Sequence, residues 1–490
     1  MCTKCNSSEL SLKTSSASVR QTSRTARLTA LATLLLFWGG LIDCRALTFT
    51  NLQVLWAFPT NYPTGFPYPA LLESSDGFLY GTTHGGSSVS DLGAVFAIDK
   101  TGANFSLVHQ FTSAEGDTPS APLIEATNGI IYGTTLSDGL DGGGSVFRVK
   151  EDGLGFRVIH NLTLATNDGG GSESALLQGS DGLLYGTSQF GGVAGSGVVF
   201  RMDVGGSNFV VLHSLTNADG IFPQAALMEG TNGALYGTTY QGGQFHFGTV
   251  FRIDKSGSNF SVVHDFAGGT NDGSLAFANL ITASNGRLYG TTSGGGQSGG
   301  GVIFAMDYNG SNYMVLHHFA VASGPDGNAP YGALTQGPGG ALYSTTSFGG
   351  TQQKGTIFQI NPDGSGYTVL VNFSGAIGAN PFGGLIIGSD GAFYGTASAA
   401  GPLGRGSVFR LTGVGTGDGV LTPPKFTGGA SWLISGHGTA NRTYTVQFAT
   451  NLVPPVVWTT LGQATADSLG NWQYTDSTNS RARFYRTSFP

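Results

Sequence analysis

The sequence predicts an all-β chain: a seven-bladed β-propeller of four-stranded blades, its last blade closed by an N-terminal strand, followed by a small C-terminal β-sandwich. Three observations carry that reading. One short motif recurs seven times at intervals of 51 to 54 residues. The two ends of the array are complementary, one holding a strand too many and the other a strand too few. Glycine supplies 81 of 490 residues while charged residues reach only 10%, a composition of short strands and tight turns rather than long amphipathic helices. Collagen is excluded, because the glycine has no three-residue period and only 18 prolines are present. Disorder is excluded as well, since Val, Ile, Leu, Phe and Tyr recur throughout.

The motif is a Leu- or Phe-led Tyr-Gly/Ser-Thr cluster, with its tyrosine at Tyr80, Tyr132, Tyr185, Tyr236, Tyr289, Tyr343 and Tyr394. A turn pair precedes each copy: Asp76-Gly77, Asn128-Gly129, Asp181-Gly182, Asn232-Gly233, Asn285-Gly286, Gly339-Gly340 and Asp390-Gly391. Such pairs accept the positive φ angles of a two-residue type I′ hairpin. A β-rich stretch follows each copy, with its phenylalanine at Phe96, Phe147, Phe200, Phe251, Phe304, Phe358 and Phe409. Each unit therefore reads as four strands. In the fourth these are Ala226–Met228 (a), Leu235–Thr239 (b), Thr249–Ile253 (c) and Phe260–Phe266 (d), with an Asp-x-x-Gly turn at 254–257 between c and d. Four antiparallel strands at this period form a propeller blade.

The seventh unit lacks strand d after Phe409, whereas a d-like stretch, Leu52–Phe58, opens the array. Together they complete 28 strands. The N-terminal strand is expected to pair with strand c around Phe409 and remove two bare, aggregation-prone edges. A linear solenoid is the competing architecture, but solenoids carry atypical capping repeats, and these seven are nearly uniform. The propeller is placed at 47–413, a Gly/Pro linker at 414–424 and the sandwich at 425–490.

The motif set LYGTT followed by a glycine pair, G-x-VF and LHxF, at 79–86, 248–251 and 316–319, resembles the GloVer tandem repeats of exported bacterial proteins of the Verrucomicrobia type. The resemblance covers about three-quarters of the chain. It implies a secreted or surface repeat protein and brings no catalytic residue with it. The departures are Ser344 for glycine, Ala397 for the second threonine, and Val371 where other units have histidine.

The N-terminus carries Lys4, Lys13, Arg20, Arg24 and Arg27, then the apolar run 28–42. About 20 apolar residues are needed to span a membrane, and a basic start with a short apolar core is the pattern of a secretory signal. Residues 1–46 are read as a signal peptide, cleaved after Ala46, with an uncleaved anchor as the alternative. Cys2, Cys5 and Cys44 leave with it, so the mature chain has no disulfide and no thiolate site. Six of 22 basic and two of 29 acidic residues leave too, taking the net charge from −7 to −11. Nucleic acid is therefore not an expected partner. The expected product is a secreted or cell-surface monomer with no membrane span in the mature chain.

Beyond the linker, alternating stretches at 431–435, 443–448, 456–461, 471–475 and 482–487, with Trp432, Trp458 and Trp472, suggest the sandwich. It resembles C-terminal modules of the same exported proteins and suits a spacer, an adhesion unit or an export signal.

Candidate chemistry lies in the loops. His109, His160, His213, His264 and His317 share one position on strand d. Strand d is outermost by the closure argument, so the five stand too far apart to share a metal at about 2 Å; they are expected to brace the blades. The Tyr and Thr of each cluster are expected in the core. Strand direction alternates, so b–c loops and d–a crossovers share one face, opposite the Asp-Gly hairpins. The crossovers carry Asp117, Asp168, Asp219, Asp272 and Asp326, each beside glycine, as candidate calcium ligands. Asp-Gly also serves as plain turn chemistry. No other cofactor is implied. The b–c loops carry His84, Phe190, Tyr240 and Phe348 as candidate ligand-binding residues able to stack on sugar rings. No HExxH, P-loop or G-x-S-x-G motif occurs. A non-enzymatic scaffold binding extracellular glycan or a surface protein is expected. The alternatives are a polysaccharide lyase or glycoside hydrolase on a propeller, and a structural spacer.

Overall fold

The computed structural model describes residues 51–412, apart from 61–64, 86–90, 322–323 and 338, and then the segments 420–421, 425–428, 431–437, 443–449, 459–465, 471–477 and 484–488. The segment read as a signal peptide, 1–46, and the linker residues 414–419 and 422–424 lie outside the described residues. So do Trp432 and Trp458 as side chains.

Seven four-stranded antiparallel sheets follow one another. Six are continuous in sequence, at 72–110, 124–161, 177–214, 228–265, 281–318 and 335–372; we number them blades 1 to 6. Blade 7 takes Ile386–Ile387, Phe393–Ala397 and Gly404–Thr412 as strands a to c, and Asn51–Pro59 from the other end of the chain as strand d. Val54 stands opposite Phe409 in that pairing, as the end complementarity requires. Among the described residues no helix is long and apolar enough to cross a membrane.

Burial explains the residue choice in each strand. All residues of strand b are buried in all seven blades, as in Leu235–Thr239, so aromatic and β-branched side chains pack on both faces. Glycine at the centre of b has a steric cause. A Cβ on Gly237 would lie 2.5 Å from Phe251 Cζ of strand c. Blade 6 admits Ser344 because Gly332 stands beside it, and the serine hydroxyl donates to the carbonyls of Gly332 and Ala333, each at 2.9 Å. The motif tyrosines hold the hairpins: Tyr80, Tyr185 and Tyr394 donate to Asp76, Asp181 and Asp390, while Asn128, Asn232 and Asn285 donate to Tyr132, Tyr236 and Tyr289.

Two features differ from the sequence reading. Strand a pairs over only two residues in every blade, Met228–Glu229 in blade 4 rather than Ala226–Met228. The Ala226 N–H is taken instead by Asn279 of the next blade at 2.6 Å. Strand d carries a β-bulge at one equivalent place in all seven blades, for example between the pairs Val250–His264 and Phe251–Val262. A bulge re-aims the side chain beside it, and here that side chain is the repeated histidine.

The C-terminal strands form two small sheets. Ser431–His437 lies between Asn471–Asp476 on one side and Val420–Leu421 with Lys425–Gly428 on the other. Thr443–Ala449 lies between Thr459–Thr465 and Phe484–Ser488. Ile434 and Trp472 of the first are buried with Tyr444, Val446 and Ala464 of the second.

Candidate functional site

The crossovers and b–c loops meet on one face, as expected. Each crossover bridges to the following b–c loop, through short ladders at 169–170 with 190–191 and 273–274 with 294–295, and through single bridges such as Asp117–Ser137, Ile221–Gln241 and Asn328–Phe348.

At the inner end of each crossover sits a residue with positive φ: Phe66, Thr118, Gly171, Phe222, Leu275, Ala329 and Asn380, all between 51° and 65°. Six of these are not glycine, and a bulky side chain there costs about 1–3 kcal/mol. Bonds to both neighbouring blades hold the conformation. Phe222 donates its N–H to the Ser196 carbonyl of blade 3 and accepts from the Tyr240 N–H of blade 4. Two residues further on, the chain reaches the axis.

That axial position is Tyr68, Ser120, Glu173, Gln224, Phe277, Tyr331 and Phe382 in blades 1 to 7, and these residues line a cavity of about 70 Å³. It is the column in which the otherwise uniform repeats diverge. One side is an aromatic arc. Phe277 and Tyr331 lie 5.3 Å apart edge to face, Tyr331 and Phe382 5.3 Å apart, and Phe382 stacks on Tyr68 at 4.4 Å. The other side is polar, with Ser120, Glu173, Gln224 and Asn279.

The polar side is poorly satisfied. Gln224 Oε1 is buried and completes no hydrogen bond, which costs about 1–3 kcal/mol. Burial pushes the Glu173 carboxyl above its usual range, and the neighbouring Gln189 amide opposes only part of that rise. Tyr68 is pushed up by burial first, then by the charge of Glu173 and by Tyr331. Groups from blades 3 and 6 thus act on one from blade 1 across the axis.

The expected ligand-binding residues take different places around this mouth. His84 lies 5.8 Å from Tyr68, Tyr240 6.5 Å from Phe277 and Phe348 6.2 Å from Phe382, ring centre to ring centre. Phe190 meets Phe222 instead, at 5.6 Å. Phe190 and Phe348 are 40% and 37% exposed, so their faces remain open to a partner. The axial column itself escaped the sequence reading, which looked for residues that repeat. Its signal was the third residue before the leucine that precedes strand a, the variable position of an otherwise uniform unit.

The aspartates are spread around the rim. Asp168, Asp219, Asp272 and Asp326 each meet the histidine of the same connection, His160, His213, His264 and His317, at 3.2, 3.2, 3.2 and 3.3 Å. Asp117 is out of register with them: Glu115 takes His109 at 3.2 Å, and Asp117 accepts from Ser137. Burial would raise the Asp272 carboxyl, but bonds from His264 and the Ala267 N–H hold it below its usual range. Among the described residues no three His, Cys, Asp or Glu side chains gather as a metal site.

A closed seven-bladed propeller of one repeated unit, its divergent side chains collected at one axial mouth, defines the class. The repeat is that of the Gloeobacter/Verrucomicrobia repeat model, which matches residues 46–171, 155–339 and 320–432, and the chain belongs to that family. No curated protein matches the sequence. Among solved structures the chain is similar to an oligogalacturonate lyase in complex with manganese, at 11% identity over 75% of this chain and 94% of that one, TM-score 0.50. It is also similar to the extracellular domain assigned to a one-component system of B. thetaiotaomicron, at 10% identity and TM-score 0.48. That match covers 79% of this chain, which spans about half (46%) of that one. At such identities the likeness concerns the fold alone.

Proposed function

We propose that this protein is an exported, non-enzymatic binding scaffold that holds an extracellular glycan across the axial mouth of its crossover face. The aromatic arc of Phe277, Tyr331, Phe382 and Tyr68 facing amide and carboxyl groups carries the reading. Flat rings stack on sugar faces, and convergent polar groups orient hydroxyls. Size decides how the ligand lies. Pockets that enclose a small molecule run to about 300–1,000 Å³, against about 70 Å³ here. The glycan therefore runs over the face, past Tyr240 and Phe348, and seats one substituent in the mouth. Binding rather than turnover is favoured because glycoside hydrolysis uses two carboxyl groups flanking the bond, and Glu173 is the carboxyl of the described lining.

The test is a glycan array of the purified protein, with calcium and with chelator. Binding without turnover is expected, unaffected by chelator. Stacked aromatic contacts contribute about 0.5–1.5 kcal/mol each, so Tyr240→Ala with Phe348→Ala should weaken binding about tenfold. Release of shortened sugars would establish the enzyme instead, and silence across the array would leave the spacer.

A further inference from the structure

The charge and hydrogen-bonding character of the mouth narrows the ligand. We propose that it selects an ammonium group, so that the glycan held there is an amino-sugar chain with free amines rather than a neutral or uronate chain. This rests on the glycan reading above.

The cavity combines a carboxyl, amide and hydroxyl groups with aromatic rings. Glu173 contributes a carboxyl, Gln224 a buried Oε1 without a donor, and Tyr68, Tyr331 and Phe382 their aromatic surfaces. None of the described lining residues is Lys, Arg or His. A ring of this kind attracts a cation through its quadrupole, and a carboxylate adds a charge-assisted hydrogen bond. An ammonium group has three donors and no acceptor, so it satisfies both oxygens without leaving a polar atom of its own unpaired. A neutral acetamide brings a carbonyl that finds no donor on Glu173 once the carboxyl is ionised. A uronate sets charge against charge in a site partly shielded from water.

The titratable groups facing Glu173 are Tyr68 and, through it, Tyr331; both tyrosines are pushed up by burial and are neutral over the working range. Glu173 itself is held above the usual carboxyl range by burial. An arriving cation favours its ionised form, so pairing and deprotonation reinforce one another.

The experiment compares calorimetric affinity of the intact protein for three probes: a glucosamine oligomer, its fully N-acetylated counterpart, and an oligogalacturonate of equal length. The amine should bind about tenfold or more tighter than the acetylated chain, the range of one charge-assisted hydrogen bond, and the uronate weakest. Glu173→Gln should bring amine and acetylated forms to within about threefold at an unchanged melting temperature. Equal affinities in the parent protein, or a preference for the acetylated or uronate chain, would overturn the selectivity while leaving glycan binding in place. No binding of any probe, with a silent array, would overturn both.

Discussion

At the rim, His213 lies flat on Phe260 of the next blade, ring centres 3.8 Å apart, while its Nε2 meets Asp219. The same triad of histidine, acid and aromatic ring recurs with His109, His160, His264 and His317, stacked on Phe156, Phe209, Tyr313 and Tyr367. Trp56 replaces the histidine between blades 7 and 1 and stacks on Phe105 at 4.2 Å. Between blades 6 and 7 the whole triad is apolar: Val371, Ile377 and Leu52 share one cluster. The chain thus contains its own replacement experiment. Exchanging a partly buried, hydrogen-bonded polar pair for packed apolar groups is often neutral, whereas removing one partner is costly. The double change His213→Val with Asp219→Ile should stay within about 1 kcal/mol of the parent, while either single change costs about 1–3 kcal/mol. Chemical denaturation of the four proteins measures the coupling, and additive single costs would show that the pair does not act as a unit.

On the opposite face, the hairpins between strands a and b are tied from blade to blade. The N–H of Ser75, Ser180 and Ser389 is accepted by Glu125, Glu229 and Glu73 of the adjoining blade. Gln178 and Gln336 take the same bond from Thr127 and Ser284, each at 2.8 Å. In the sequence, the positions equivalent to this donor and acceptor between units 6 and 7 are Pro338, a residue without an N–H, and Ile387. Burial raises the three glutamates, but the bonds outweigh it and hold all three below their usual range: from Lys100 and Ser389 at Glu73, from Ser75 and Ser74 at Glu125, and from Lys255 and Ser180 at Glu229. A carboxyl lowered by folding contributes stability that is full above its ordinary pKa of 4.5 and lost as pH falls through the folded value. Changing all three to glutamine keeps the N–H bond, removes the titration and gives up the Lys100 and Lys255 ion pairs. The variant should therefore melt slightly lower than the parent at pH 7 and lose less between pH 5 and pH 3. An acid limb as steep as the parent's would place the titration elsewhere.

At this scale the sequence was readable where turn chemistry and period-2 patterning coincide, as at Asn232-Gly233 followed by Leu235–Thr239. It was silent on the strand d bulge, because the extra residue, Val263 in blade 4, looks like any other strand valine. It misled at Asp117, where Asp-Gly likeness concealed that Glu115 keeps the spacing from histidine. The mouth column was hidden for a different reason: its members share a place but no chemistry.

For the whole molecule, stability depends on joining residues about 350 or more apart in sequence, such as Val54 and Phe409. Asn51–Pro59 covers the outer edge of strand c in blade 7, and its Leu55 and Phe58 are buried in a cluster that also holds Leu71, Phe96 and Ile98 of blade 1 and Tyr394 and Val408 of blade 7. This strand therefore seals one blade and cements two. Burying a large apolar side chain contributes about 1.5–3 kcal/mol, and the ladder of hydrogen bonds adds to it. Across the same seam Arg405 of blade 7 reaches Asp91 of blade 1 at 3.3 Å and lies over the Phe66 ring. Deleting residues 47–58 removes the cluster's centre and bares strand Gly404–Thr412 as an edge, an invitation to pair with another chain. The truncated protein should melt several degrees lower, since each 1 kcal/mol shifts a domain of about 150–250 residues by about 2–4 °C and a larger one by less, and should aggregate on standing. A synthetic peptide spanning 47–60, added in excess, should restore much of the melting temperature by occupying the vacated edge. An unchanged melt after truncation, or an extended small-angle scattering profile for the intact chain, would contradict closure by this strand.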